Sequence, residues 1–238
     1  MPARLIIDWT QMPTYNTIMS VAAGSALTSL VYFVRALGRE KDIELESWAL
    51  AFSVPGFILT TTGMHMSLTW PMAKYFPYDN IIFGETSFGF GVLLLALAWY
   101  LWHRGPALIA GGKPASSLAR AVQPLSVFVV GMGLALIAIA AAGLVFKLFA
   151  APPEEPISGT FAGYPWIEAI FMSGMFGFVG IGAVLFPFAA RALANGAEQG
   201  GAQKIVGFVW WLSGLGFLLF GALNFFTHIG LIIHTTAA

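Results

Sequence analysis

Six long apolar segments run through the sequence, separated by short polar or proline-containing stretches. Of the 238 residues, 58% are hydrophobic and 9% are charged, and the mean hydropathy is +0.80. A soluble domain carries about 25% charged residues, so this composition excludes one. A membrane-spanning helix needs about 20 mostly apolar residues, and all six segments reach that length. The sequence therefore predicts an all-α, polytopic transmembrane bundle of about six helices.

The ends of the predicted helices are indicated by charged loops, interfacial aromatic residues and helix-breaking prolines. Trp70 and Pro71, for example, close the second segment. The whole chain, residues 1–238, is predicted to form a single integral membrane domain. The predicted helices cover residues 14–37, 47–69, 81–103, 119–149, 165–193 and 204–233.

The loop cations predict an orientation in the membrane. Eight lysine and arginine residues lie after the first, third and fifth predicted helices, and three lie on the other side. Cytoplasmic loops carry an excess of these residues. Both termini are therefore predicted to lie on the non-cytoplasmic side, which we call the outer side.

Two features of the composition exclude whole classes of site and partner. The chain has no cysteine, so it forms no disulfide, iron–sulfur cluster or thiolate metal site. Its formal net charge is zero, which argues against a nucleic-acid partner. The sequence also lacks a self-contained catalytic motif, so we leave open whether the protein is an enzyme or a subunit of a membrane oxidoreductase.

Unusual side chains concentrate in the predicted outer half of the bundle. His65 and His228, two of only four histidines, lie near the outer ends of the second and sixth predicted helices, and seven of the nine methionines map to the same half. Residues three or four apart share one helix face, so Glu168, Met172 and Met175 form a stripe. Ionisable groups in membrane helices indicate functional sites. We therefore expect a site on the outer side.

One interpretation makes His65 and His228 the two axial ligands of a b-type haem, because haem iron accepts neutral imidazole. A threonine, Asn224 or a carboxylate would then support each ligand through a hydrogen bond. A simpler alternative is that each histidine forms hydrogen bonds between helices near the membrane surface.

A second interpretation is a transition-metal site, with copper as the candidate. Thioether and imidazole groups suit copper, so Met172 and Met175 would join His65, His228 and Glu168 as ligands. The structural alternative is that the methionines fill gaps in an apolar core.

Two short segments carry a resemblance to a known family. The sequence GMHMSLTWP at residues 63–71 is followed by YDNIIFGE at residues 78–85. These segments resemble a G-x-H-x-S-x-T-W-P motif followed by N-x-x-F-G-E in an uncharacterised family of bacterial and archaeal membrane proteins, a domain of unknown function. The resemblance implies a multi-pass protein of a prokaryotic cell membrane. It implies no activity, but it draws attention to His65, Trp70, Asn80 and Glu85.

These observations predict a haem- or metal-binding subunit, or an accessory, of a membrane redox complex. The expected partners are the lipid bilayer and either other membrane subunits or a second copy of the chain. Two alternatives remain open. One is a structural subunit that packs against a larger membrane complex, and the other is a permease for a small solute.

Overall fold

The fold was analysed in a computed structural model that describes residues 5–39, 43–196 and 200–236. Within these ranges the chain is helical and has no β-strand, which confirms the predicted all-α class. A π-helical segment, Asn80–Glu85, leads directly into the third α-helix. The predicted charged loop after the first helix includes residues 40–42, which lie outside the described residues. The α-helices are α1 (Asn16–Arg39), α2 (Leu45–Thr69), α3 (Thr86–Ala110), α4 (Pro114–Val122), α5 (Ser126–Phe146), α6 (Pro165–Ala194) and α7 (Gly201–Thr235).

Five helical segments of the described chain are long and apolar enough to cross a membrane, whereas the sequence predicted six spans. Helix α2 has 25 residues but is not among them. Its last ten residues include four threonines, a serine and a histidine, which lowers its mean hydropathy. The five segments are Asn16–Gly38, Asn80–Ala110, Pro114–Phe146, Pro165–Ala194 and Gly201–Thr235.

The third and fourth predicted helices have different bounds in the structure. Helix α3 continues beyond the predicted end at residue 103 and reaches Ala110, with Pro106 inside it. The predicted helix 119–149 begins earlier, at Pro114, and is divided by a 3₁₀ turn at Gln123–Leu125. It ends at Phe146 because Lys147 adopts a left-handed conformation, with φ of 52°, and its backbone N–H donates to the Gly143 carbonyl.

The long helices pack in a ring whose order differs from their order in the chain. Helix α2 packs against α3 and α1, α1 packs against α7, and α7 packs against α6, which in turn contacts α5 and α4. Helices α3 and α5 approach each other only over a short stretch. A central space that neighbouring helices do not fill lies between them.

Glycines permit the closest helix crossings in this ring. A Cβ atom on Gly24 of α1 would lie 2.2 Å from the backbone nitrogen of Leu218 on α7. A Cβ atom on Gly63 of α2 would lie 2.4 Å from the backbone nitrogen of Phe88 on α3. Small residues let helix backbones approach closely in membrane proteins, so these glycines fix the α1–α7 and α2–α3 contacts.

Charge divides the two ends of the bundle. We call the end where α1 and α6 begin the acidic end, and the opposite end, where α1 and α6 finish, the basic end. Among the described residues, most carboxylates lie at the acidic end and most cations at the basic end: Asp8, Asp79, Glu85, Glu154, Glu155 and Glu168 at the first, and Arg35, Arg104, Lys113, Arg120, Arg191 and Lys204 at the second. The exceptions are Lys74 and Lys147 at the acidic end and Glu44 and Glu46 at the basic end.

The segment before α1 crosses the acidic end and is held there by long-range hydrogen bonds. The backbone N–H of Ile7 donates to the Thr235 carbonyl at 3.0 Å, and the indole N–H of Trp9 donates to the Thr235 hydroxyl at 3.1 Å. The backbone N–H of Leu5 donates to Oε1 of Glu154 at 3.0 Å. The segment therefore joins the end of α7 to the loop between α5 and α6.

Candidate functional site

A central cavity of about 1640 Å³ lies between the helices and is partly open to the outside. Its wall is formed by α1, α3, α4, α5, α6 and α7 together with the connecting segments at both ends. No residue of α2, which the structure describes in full, belongs to this wall. Helix α2 therefore packs against α1 and α3 without contributing to the cavity wall.

The cavity changes in character along its length. Three carboxylates line it at the acidic end: Asp79, Glu155 and Glu168. The cationic side chains among its described lining residues, Arg35, Lys113 and Lys204, all lie at the basic end. Between the two ends the wall is apolar and aromatic, and it includes Leu27, Phe90, Leu136, Phe176 and Phe217.

His228 and Glu155 form the central contact of the acidic end. Nδ1 of His228 lies 3.7 Å from Oε1 of Glu155, and the two side chains are only 17% and 10% exposed. Glu155 reaches this position because its loop lies directly against α7. A Cβ atom on Gly230, two residues after His228, would lie 2.2 Å from Cγ of Pro156. Glycine at position 230 therefore allows the loop to bring Glu155 to the imidazole.

Glu168 lies in the first turn of α6 and also contacts this loop. Its Oε2 accepts a hydrogen bond of 2.5 Å from the backbone N–H of Ala151. Glu155 is close enough to act on Glu168 electrostatically. The carboxylates of Glu155 and Glu168 thus belong to one cluster on the cavity wall.

Two asparagine side chains complete the polar layer. Asn224 lies one turn before His228 on α7 and is 8% exposed, and Asn16 begins α1. Both residues line the cavity, and the side-chain oxygen of each is buried without a hydrogen-bond partner within the described protein. Buried polar atoms normally have partners. These two residues therefore each bring an unsatisfied acceptor to the cavity wall.

Asp79 lies in the connection between α2 and the π-helical segment and lines the acidic end of the cavity. Burial raises the pKa of its carboxyl group to about 7. The pKa of the adjacent Tyr78 is also raised, by burial first and then by the charge of Asp79. Asp79 therefore changes its charge near neutral pH, unlike an ordinary surface aspartate.

The two histidines of the haem prediction have different surroundings. Nδ1 of His65 lies 2.6 Å from the Tyr15 hydroxyl oxygen, in hydrogen-bond contact, and the His65 side chain is exposed. His65 belongs to α2 and does not line the cavity, whereas His228 does. A haem held between His65 and His228 stays a prediction from the sequence.

The predicted metal ligands are divided in a similar way. Met172 and Met175 are both buried in the core around Phe176, but only Met172 lines the cavity, together with Glu168 and His228. Across residues 5–39, 43–196 and 200–236, no three histidine, aspartate or glutamate side chains are grouped so as to hold a metal ion. Copper binding through the methionines therefore also stays a prediction.

The remaining predicted residues support the connection between α2 and α3. Asn80 is fully buried, where its Oδ1 accepts from the Met72 backbone N–H at 3.1 Å and its Nδ2 donates to the Pro77 carbonyl at 3.0 Å. Trp70 ends α2 in a left-handed conformation with φ of 49°. Glu85 is exposed and does not line the cavity. These contacts are structural.

Asp79, Glu155 and Asn16 are cavity residues that were absent from the predicted site. Asp79 stood inside the segment at residues 78–85 that carried the family resemblance, directly before Asn80. Glu155 stood between prolines in a stretch that had the composition of a solvated loop. Only the packing of that loop against Gly230 brings Glu155 to His228.

A comparison with protein families gives one result. A family described as "Protein of unknown function (DUF981)" matches residues 12–230. The chain belongs to this family. The match confirms the predicted membership of an uncharacterised family, and it extends over nearly the whole chain. No curated protein and no solved structure matches this chain.

Proposed function

We propose that this membrane protein binds an amphiphilic, membrane-soluble molecule in its central cavity. The observation that carries the proposal is the cavity itself, which joins an apolar, aromatic middle section to a polar layer around His228. The polar group of the ligand lies at the acidic end, and its apolar part lies between the helices.

The size of the cavity supports a ligand of lipid or cofactor dimensions. Pockets for small molecules typically have volumes of about 300–1,000 Å³, whereas this one measures about 1640 Å³. Its apolar middle offers few partners to a small polar solute. Such a wall favours a molecule with a large apolar part that enters the cavity from the bilayer. A permease for small polar solutes is therefore the weaker alternative.

A b-type haem is the second candidate, and the position of His228 favours it. His228 presents an imidazole to a cavity of sufficient size, and the Glu155 carboxylate lies beside that imidazole. A carboxylate beside a ligating histidine orients the ring and increases its basicity. In this candidate the protein is a subunit or accessory of a redox complex, and His65 or another group supplies the second axial ligand.

The cellular setting belongs to the same proposal. The acidic end faces outward from a prokaryotic cell membrane, as the loop cations predict. The exposed apolar surface contacts lipid and either other membrane subunits or a second copy of the chain. A purely structural subunit would not need a cavity residue, Asn224, with an unpartnered side-chain oxygen.

The test is to identify what co-purifies with the protein. Protein purified from membranes in mild detergent is extracted with organic solvent, and the extract is analysed by mass spectrometry. Gly207 lines the cavity, and a Cβ atom there meets no other atom within 4 Å, so Gly207→Phe fills cavity volume. Gly131→Phe is the matched control, because position 131 is equally open but lies on the exposed face of α5.

We expect one class of amphiphile at near-equimolar amounts in wild type and Gly131→Phe, and much less in Gly207→Phe. Equal amounts of bulk membrane lipid in all three samples would contradict specific binding in the cavity.

A further inference from the structure

We propose that the acidic end of the cavity selects a lipophilic cation, which is a molecule with a protonated amine or an onium group on an apolar body. The inference rests on the proposed function and adds the chemical class of the ligand. Three independent features of the wall carry it: the charge pattern, the unpartnered oxygen atoms and the aromatic side chains.

The first feature is the separation of charge along the wall. Asp79, Glu155 and Glu168 line the acidic end, and none of the cationic lining residues that the structure describes lies there. Low-dielectric walls focus the field of such a cluster and attract ions of the opposite sign. An anionic head group would instead meet the carboxylates of Glu155 and Glu168, and that of Asp79 above neutral pH, without a compensating lysine or arginine.

The second feature is an excess of hydrogen-bond acceptors. Asn224 and Asn16 both line the cavity, and the Oδ1 atom of each is buried without a partner in the described protein; Asn224 itself is 8% exposed. Leaving a buried acceptor unsatisfied costs about 1–3 kcal/mol. A protonated amine has donors and no acceptor, so it complements these oxygens and the carboxylates together, whereas an onium group complements the carboxylates alone.

The third feature is the aromatic surface next to the polar layer. Phe217 and Phe220 lie two turns and one turn before Asn224 on α7, and both line the cavity. The ring of Phe217 packs edge-to-face on Phe176, with centroids 5.3 Å apart. Aromatic faces attract organic cations in desolvated sites, so these rings offer a favourable surface to the charged group of the ligand.

The same geometry disfavours a metal ion as the cation. The described residues contain no group of three histidine, aspartate or glutamate side chains close enough to share a metal. The carboxyl groups of the acidic end therefore suit an organic cation better than a metal ion.

The test compares two probes of nearly equal size and shape but opposite charge. Binding of tetraphenylphosphonium and of tetraphenylborate to the full-length protein in lipid nanodiscs is measured by equilibrium dialysis, with empty nanodiscs as the partition reference. We expect saturable, equimolar binding of tetraphenylphosphonium and no saturable binding of tetraphenylborate. Unlabelled dodecylamine should displace the bound phosphonium.

Matched variants locate the binding. Glu155→Gln and Glu168→Gln should each weaken phosphonium binding about tenfold or more, since each removes a charge in a desolvated site. Glu85→Gln removes an exposed carboxylate at the same end and should leave binding unchanged. Thermal unfolding of each variant establishes that the fold is retained.

Two outcomes would overturn the inference, and they differ in what they mean for the proposed function. Saturable binding of tetraphenylborate with equal or higher affinity would refute selection for cations and leave the cavity as a binding site. Failure of both probes to bind would also refute it. If no amphiphile then co-purified, the proposed function would fail as well.

Discussion

Nδ1 of His228 on α7 lies 3.7 Å from Oε1 of Glu155, in the loop between α5 and α6, and both side chains are mostly buried. This contact joins two parts of the chain that are 73 residues apart. It places an imidazole and a carboxylate side by side on the wall of an otherwise apolar cavity. It therefore both holds the loop on the bundle and defines the polar end of the binding site.

The His228–Glu155 contact should stabilise the protein cooperatively. Removing either partner leaves the other polar side chain buried without its electrostatic neighbour, which destabilises the folded state. We expect His228→Gln and Glu155→Gln each to lower the midpoint of thermal unfolding in detergent, and the double variant to lose less than the sum of both. Strictly additive losses would mean that the two side chains do not stabilise each other.

Asp79 should make stability depend on pH near neutrality. Its pKa is about 7 in the folded protein and about 3.9 in an unfolded chain, so the folded state binds more protons between these values. Stability should therefore fall as pH rises from about 4 to about 7 and should change little through Asp79 at higher pH. The measurement is the unfolding midpoint at pH 5 and at pH 8.

Variants at two aspartates isolate this effect. The unfolding midpoint of Asp79→Asn should change less between pH 5 and pH 8 than the midpoint of wild type. Asp8→Asn is the control, because its pKa is lowered, chiefly by the hydrogen bond with the Thr10 side chain. An unchanged pH dependence in Asp79→Asn would show that other groups cause it.

The helices were predictable from sequence because each must supply about 20 apolar residues to cross a bilayer. The polar site was only partly predictable. Glu168, Met172, Asn224 and His228 lie on helices, where spacing along the chain defines a shared face. Glu155 lies in a loop, and no periodicity relates it to α7.

The segment that carried the family resemblance is explained mainly by packing between α2 and α3. A Cβ atom on Gly63 would lie 2.8 Å from the Gly84 carbonyl oxygen, and one on Gly84 would lie 3.0 Å from Cγ of Met66. Asn80 binds the backbone of the connection. A sequence motif cannot by itself separate such contacts from ligand-binding roles, and here His65 and Glu85 lie outside the cavity.

A methyl group at the α1–α7 crossing should destabilise the bundle. In Gly24→Ala the added Cβ would lie 2.2 Å from the Leu218 backbone nitrogen, so the helices must separate. Overpacking of this kind costs about 1–3 kcal/mol. Gly174→Ala on α6 is the control, since its Cβ meets no atom within 4 Å. The midpoint of thermal unfolding should be lower than that of wild type in Gly24→Ala but not in Gly174→Ala. Equal midpoints in the two variants would show that the crossing accommodates the methyl group without loss of stability.

The haem candidate makes a separate spectroscopic prediction. If a b-type haem occupies the cavity, the oxidised and dithionite-reduced protein should show a Soret band and sharp reduced α and β bands. His228→Ala should abolish the low-spin spectrum because it removes the imidazole of the cavity wall. His65→Ala tests whether the second ligand comes from α2. His103→Ala is the control: this exposed residue contacts the Trp99 carbonyl at the basic end and should leave the spectrum unchanged. A colourless wild-type protein would remove haem as the ligand and leave a colourless amphiphile as the occupant to identify.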